Sequence, residues 1–482
     1  MAYVRPDPPN GGLRAWTVVL GSFLLQMSSF GILQYYTDIL QTRCASVSCG
    51  TFQFYYQHVM LPEKNSSQLA WITTLQIAFF FVCGPAVGKL VDVYGSRPVI
   101  APFAVLAIIS LGMLSLCTEY YQVILAQGVA FGIAVSGTCL PAIVTVSQWF
   151  STKRGLAVGL ASCGSSLGGV IFPIMVSRLI TSHGFADSMR WSMLVVGITM
   201  LIGVLLCDTP FPPQHKLKNL QNDEEKGQQT ARKSSQDLKT DDVDSLGSKV
   251  GVGGAGLDSL NSATAAVNGE SNMKKGLNAL FERKALGWAS FVLGTFFFMW
   301  SFLAPFNYLP LMSVSSGMSP DLAQYTLTVT NAGSMFGRVG LGAMSDKLGA
   351  FNVMCIVTSF TAASVLGFWL PLSYSPSTTG IFIFGGIYGV ASGGFISLVA
   401  PCVVSLANSQ LENLGITFGL VCIGLAFGAL VGLPAMAAVK DAAASHSFED
   451  LIIFTGIILA VGSVCMIVAR GMKGGVRVWT KV

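Results

Sequence analysis

Apolar residues run through this chain in blocks of roughly 20, the length that crosses a hydrocarbon layer about 30 Å thick. Twelve such blocks are predicted, over 15–37, 69–91, 98–117, 122–146, 155–178, 190–208, 286–312, 321–343, 351–371, 380–404, 414–439 and 451–470. Glycine and proline are scattered through them, as membrane helices tolerate. Between the sixth and seventh blocks the pattern stops. From Pro212 to Lys284 the chain is polar, rich in Ser, Gly and Asp, and without an aromatic until Phe281. Such a segment cannot bury enough apolar surface to fold alone and reads as a disordered tether. The predicted fold is therefore an all-α membrane protein of twelve transmembrane helices in two six-helix bundles. The predicted units are a leader 1–14, a first bundle 15–208, a linker 209–285, a second bundle 286–470 and a tail 471–482.

Composition agrees: 52% of the 482 residues are hydrophobic and 11% are charged, where soluble domains carry about 25% charge. The net charge of +5 follows topology and does not point to nucleic acid. With the N-terminus inside, Arg5, Arg14, Lys89, Arg97, Lys153, Arg154, Lys347, Arg470 and Lys473 all fall on the inner side. The opposite side holds Arg43, Lys64, Arg178, Arg190 and Lys440. By the positive-inside rule both termini are cytoplasmic. The plasma membrane is the default location, since no organellar signal is readable. The apolar run from Trp16 is too long for a signal peptide. Nine of the eleven cysteines lie in or beside apolar blocks, where cysteine behaves as a small hydrophobe. Cys44 and Cys49 share a polar loop and can pair if that loop is extracellular. Asn65-Ser66-Ser67 fits the glycosylation acceptor pattern but lies close to the second block. No metal-ligand spacing, cofactor motif or catalytic constellation is present, so an enzyme is not expected.

One charge breaks the apolar pattern. Arg338, in Asn331-Ala-Gly-Ser334-Met-Phe-Gly-Arg338, precedes Asp346 by eight residues, about 12 Å along a helix. If Asp346 marks the membrane surface, the guanidinium lies well inside the hydrocarbon. It stays charged under ordinary conditions, and holding it there costs at least about 2.5 kcal/mol. Two readings are open: a fixed cation facing a wet cavity that receives an anion, or a structural arginine bonded to backbone carbonyls. Asn331 and Ser334 share its helical face. Gln34 of the first block and Tyr308, between two prolines of the seventh, complete the candidate substrate-binding set. All four histidines lie in loops or the linker, and no acid lies deep in a block. Asp38, one turn beyond Gln34, is the nearest candidate proton site. Coupling through Asp38, a substrate that brings its own proton, and uncoupled transport all remain open.

The halves repeat. Gly88-Lys-Leu-Val-Asp92-Val-Tyr-Gly95 and Gly342-Ala-Met-Ser-Asp346-Lys-Leu-Gly349 both read G-x-x-x-D-x-x-G at an offset of 254. At an offset of 260, Pro141, Gly155, Gly159, Gly164 and Gly168 match Pro401, Gly415, Gly419, Gly424 and Gly428. Glycines four apart let helices approach closely. The acid at each turn is expected to cap the next helix or pair with a base such as Arg97.

The six-plus-six plan and doubled turn motif resemble the major facilitator superfamily over nearly the whole chain. Gly11-Gly-Leu-Arg-Ala-Trp16 and Trp149-Phe-Ser-Thr-Lys153-Arg154-Gly-Leu-Ala-Val-Gly159 resemble the first- and fifth-helix signatures of its monocarboxylate transporter family. Gly337-Arg338 and Phe54-Tyr-Tyr56 are closer to its fungal branch. The resemblance implies transport of small organic acids by alternating access, often with a proton. In the fungal branch it extends to riboflavin-like and secondary metabolites. It adds Lys153 and Arg154 to the gating set of Gly88, Asp92, Gly95, Arg97, Gly342, Asp346 and Gly349. The chain departs from the animal lactate carriers at Gln34, where they place lysine, and at Ser334, where they place aspartate. Asn10 stands where an acid is expected.

The expected function is a secondary active or facilitative transporter of a small mono- or dicarboxylate, an exporter among the options, acting as a monomer in the bilayer. The alternatives are a carrier of a neutral or aromatic metabolite, or a nutrient sensor that binds without transport.

Overall fold

The computed structural model describes residues 8–33, 63, 66–211, 215, 285–407, 414–442 and 448–474. Gln34, Asp38, Cys44, Cys49, Asn65 and nearly all of the central linker lie outside the described residues. Among the described residues every long element is a helix, and eleven are long and apolar enough to cross a membrane. We number them in chain order. The first half comprises α1 (Leu13–Leu33), α2 (Trp71–Tyr94), α3 (Ser96–Leu114), α4 (Tyr120–Trp149), α5 (Arg154–Ile180) and α6 (Ser182–Leu206). The second half comprises α7 (Ala285–Ser315), α8 (Tyr325–Leu348), α9 (Ala350–Tyr374), α10 (Thr378–Leu406), α11 (Leu414–Lys440) and α12 (Glu449–Gly474).

Helix α8 is the exception to the apolar rule. It has 24 residues, about 36 Å of helix, yet it is absent from the helices apolar enough to span by composition. The expectation of an apolar eighth block is thus corrected. Asn331, Ser334, Arg338 and Asp346 dilute it, and neighbouring helices must supply what lipid cannot. It packs on α5 and α10, and Asn331, Ser334 and Arg338 are all buried.

The boundary between α5 and α6 also differs from expectation. A loop over 178–190 is predicted, but helix continues through Arg154–Leu206 and turns at Gly184, φ +80°. One residue in the left-handed region suffices to reverse direction, and glycine adopts it without strain.

The two halves meet along two seams, α5 against α8 and α2 against α11. A Cβ on Gly155 would collide with the Gly342 carbonyl, and one on Gly342 would strike the Gly155 carbonyl. Gly88 and Gly415 oppose each other in the same way across the other seam. Gly155 and Gly159, like Gly415 and Gly419, therefore serve close backbone approach between the halves, whereas Gly164 and Gly168 meet α1 and Gly424 and Gly428 meet α7 within their own halves.

Candidate functional site

The turns after α2 and α8 bend at Gly95 (φ +89°) and Gly349 (φ +95°), which explains the last glycine of each repeated motif. The acids inside the motifs reach across the molecule. Asp92 accepts hydrogen bonds from the backbone N–H groups of Gly415 (2.9 Å) and Ile416 (2.9 Å) at the start of α11. Asp346 accepts from those of Gly155 (2.7 Å) and Leu156 (2.9 Å) at the start of α5. Each carboxylate thus caps a helix of the opposite half, where orphan donors and the helix dipole favour negative charge. This corrects the expectation of a cap on the next helix or a pair with Arg97. Arg97 instead donates to the carbonyls of Leu205 (2.7 Å) and Cys207 (3.3 Å) at the end of α6. Arg154 donates to Ser147 and Phe150 carbonyls at the α4–α5 turn. Lys153 is exposed just before α5.

Eight residues inward from Asp346, Arg338 is 2% exposed. Its Nε donates to Ser334 Oγ at 3.2 Å, one turn back on the same helix. Its Nη1 donates across the seam to the Ser162 carbonyl (2.6 Å) and the Ser165 hydroxyl. Ser166 donates to Ser334 at 3.3 Å, and Asn331 lies beside Gly169 of α5. The stripe Asn331–Ser334–Arg338 therefore holds together as the spacing implies. In this conformation it faces the serines of α5. The guanidinium is closed off by the described residues around it, and its bond to the Ser162 carbonyl accords with the carbonyl-bonded reading. These three serine partners are all neutral, and among the described residues no carboxylate forms an ion pair with it.

Tyr308 is buried on α7, 2% exposed, just beyond a break at Leu303. It is not among the groups that Arg338 bonds, which belong to Ser334, Ser162 and Ser165. Sequence reasoning missed Ser162, Ser165 and Ser166. Their signal is the hydroxyl-rich run Ser162-Cys-Gly-Ser-Ser166 directly after the spaced glycines of α5. It also missed how Asn10 works. Asn10 Oδ1 accepts from the N–H groups of Ser151 (3.0 Å) and Thr152 (2.9 Å), and its own N–H donates to Trp149 O at 2.9 Å. The leader is thereby pinned to the α4–α5 turn. A groove of about 750 Å³ between α7 and α11, lined by Trp288, Val292, Phe296, Leu420 and Phe427, opens to the outer surface, where Leu420 and Phe427 are more than half exposed. It lacks charge and belongs to the lipid-facing side.

Two six-helix halves joined at glycine-lined seams, with reciprocal caps and a buried cation between them, define a polytopic transporter. The Major Facilitator Superfamily model matches residues 15–433, and the chain belongs to that superfamily. It is 45% identical over 476 residues to the MFS-type transporter hasB of Aspergillus fumigatus, covering 98% of this chain and 93% of the relative. It is 32% identical to the Fujikurins efflux protein of Gibberella fujikuroi, covering 96% and 84%. The crystal structure of the human organic anion transporter MFSD10 matches with a TM-score of 0.64 at 13% identity, covering 95% of this chain and all of that one. That likeness concerns the fold.

Proposed function

We propose that this protein exports a small organic anion, a carboxylate-bearing secondary metabolite, by alternating access within a monocarboxylate-transporter-like branch of the superfamily. The observation that carries this reading is Arg338: a cation buried at the seam between the halves and held by neutral serines. Burial of a charge without a counter-charge is costly unless something compensates it. A carboxylate would do so with two parallel ionic hydrogen bonds, stronger than those from a hydroxyl or carbonyl. The outward direction is supported by the fujikurin relative, an efflux protein by name.

The same geometry suggests how binding moves the protein. The carbonyl of Ser162 and hydroxyl of Ser165 belong to α5, whereas Arg338 belongs to α8. An arriving anion that takes their place at the guanidinium removes ties between the halves. The Asp92 and Asp346 caps then remain as the contacts that resist opening at that end. We place the protein at the plasma membrane, monomeric, with cytoplasmic termini. Asp38 is the proton site to test if coupling is found.

Proteoliposome counterflow with labelled mono- and dicarboxylates tests this, with and without a pH gradient. Saturable flux in the wild type that is lost in folded Arg338→Ala is expected. Equal flux in both would sink the arginine assignment, and no acid flux at all would favour a neutral substrate.

A further inference from the structure

Among the described residues several buried side chains carry hydrogen-bonding atoms without a partner, and three of them lie on one helix, α7. Asn307 on α7 is 3% exposed, and among the described residues neither its Nδ2 nor its Oδ1 has a partner. Two residues of the same helix share the condition, Trp300 through Nε1 and Ser301 through Oγ. They flank the break at Leu303, after which Ala304–Ser315 begins with Pro305 and contains Pro310. A proline brings no N–H, so the carbonyls of Ser301 and Phe306 also lose their regular helical donors. The first half contributes the hydroxyls of Ser96 and Ser136 and one amide. Gln76 on α2 is fully buried, with both amide atoms unpaired among the described residues. Gln26, also buried, is by contrast paired with Cys139 through both of its atoms.

A buried polar group left unsatisfied is destabilising, and broken helix at membrane depth is tolerated where it lines a site or packs in protein. Depth along the helices links these groups to the arginine. Measured from the end remote from the Asp caps, Asn307 lies eight residues in from Ser315, and Gln76 ten residues in from Ser66, where the helix that continues into α2 begins, about 12–15 Å. Arg338 lies thirteen residues in from Tyr325, about 20 Å. The amides therefore sit roughly one to one and a half turns above the cation.

Resting on the anion reading above, we propose that Asn307, assisted by Gln76, forms the neutral end of the substrate site. It receives the edge of a lactam, whose cis amide sets an N–H beside a C=O, on the same molecule whose acid meets Arg338. An asparagine side chain offers the complementary pair, Oδ1 to accept and Nδ2 to donate. The substrate class becomes an amide-bearing carboxylic acid.

The test uses two probes that differ in one group: 5-oxoproline, a lactam acid, and 3-oxocyclopentane-1-carboxylate, in which CH2 replaces the N–H. Binding to the purified full chain is measured for wild type, Asn307→Leu and Gln76→Leu, alongside ligand-free thermal unfolding. The wild type is expected to prefer the amide at least tenfold, as sites built to hydrogen-bond reject analogues lacking the group. Asn307→Leu should erase that preference, and its ligand-free unfolding temperature should rise by about 2–4 °C, because an apolar isostere no longer leaves polar atoms unpaired. Gln76→Leu should reduce the preference and also stabilise. A fall in unfolding temperature in both variants means the amides already have partners and overturns the proposal. A wild type that binds the two probes equally, or neither, overturns it as well. Arg338→Ala separates the two readings: if it binds 5-oxoproline as the wild type does while Asn307→Leu does not, the acid assignment fails and the amide site stands.

Discussion

The α5–α8 and α2–α11 seams share a backbone plan and differ in chemistry. Each has an acid capping the opposite helix and a glycine pair in carbonyl contact. At the 254-residue offset Arg338 corresponds to Gly84, Ser334 to Phe80 and Asn331 to Ile77. At the 260-residue offset Ser162, Ser165 and Ser166 correspond to Cys422, Leu425 and Ala426. The correspondence is physical: Gly159 meets the Arg338 carbonyl, and Gly419 meets the Gly84 carbonyl. What the seams share is what any pair of halves needs to close. What they do not share is a cluster of one cation and four hydroxyls on one side, replaced by apolar atoms on the other. The backbone plan is thus symmetric, while the buried cation and its hydroxyls sit on one seam alone.

The largest effect should come from the asymmetric part. Arg338→Ala is expected to cut acid flux by about a hundredfold or more, the loss of roughly 3 kcal/mol of charge-assisted bonding, read by initial rates in proteoliposomes. Next come the caps. Asp346→Ala or Asp92→Ala each removes two charged hydrogen bonds, about 1.5–3 kcal/mol apiece. Maleimide labelling of native Cys163, beside α8, and Cys422, beside Gly84, should then accelerate at least tenfold in either variant. Acceleration confined to the cysteine of the mutated seam would break the view of the halves as rigid bodies. Gly155→Ala and Gly88→Ala each force a methyl into an opposing carbonyl, and overpacking of this kind costs about 1–3 kcal/mol. Equal losses of thermal stability are expected; unequal ones would show that the seams bear different shares of the closed state. The smallest effects sharpen the asymmetry. Ser165→Ala removes a neutral competitor for the guanidinium, about 1 kcal/mol, and should lower the KM for acid about fivefold. Cys422→Ser, at the position on the apolar seam that matches Ser162, should change KM less than twofold.

Much of the fold is legible in the sequence because membranes make the code coarse. Apolar blocks mark the helices, and the two offsets mark the repeat. Arg338 stands out because a charge in such a block is expensive. The partners are less legible. An acid in a turn motif suggests a local cap, whereas Asp92 reaches Gly415 and Asp346 reaches Gly155, contacts that depend on how the halves dock. Ser162 and Ser165 carry little signal because serines in membrane helices usually bond their own backbone, as Ser162 also does to Val158. Asn307 does not stand out beside Tyr308, since sequence does not reveal whether an amide has found a partner.

The reciprocal caps also bear on biosynthesis. The first half emerges from the ribosome with the amide end of α5 finished and its acid, Asp346, almost two hundred residues away. Asp92 waits still longer for α11. Neither half can complete its own helix ends, so each is recognisably unfinished until the other is inserted. Two separately translated halves should therefore mature only when produced together, and a truncated first half should present quality control with two bare backbone N–H groups and a stranded carboxylate.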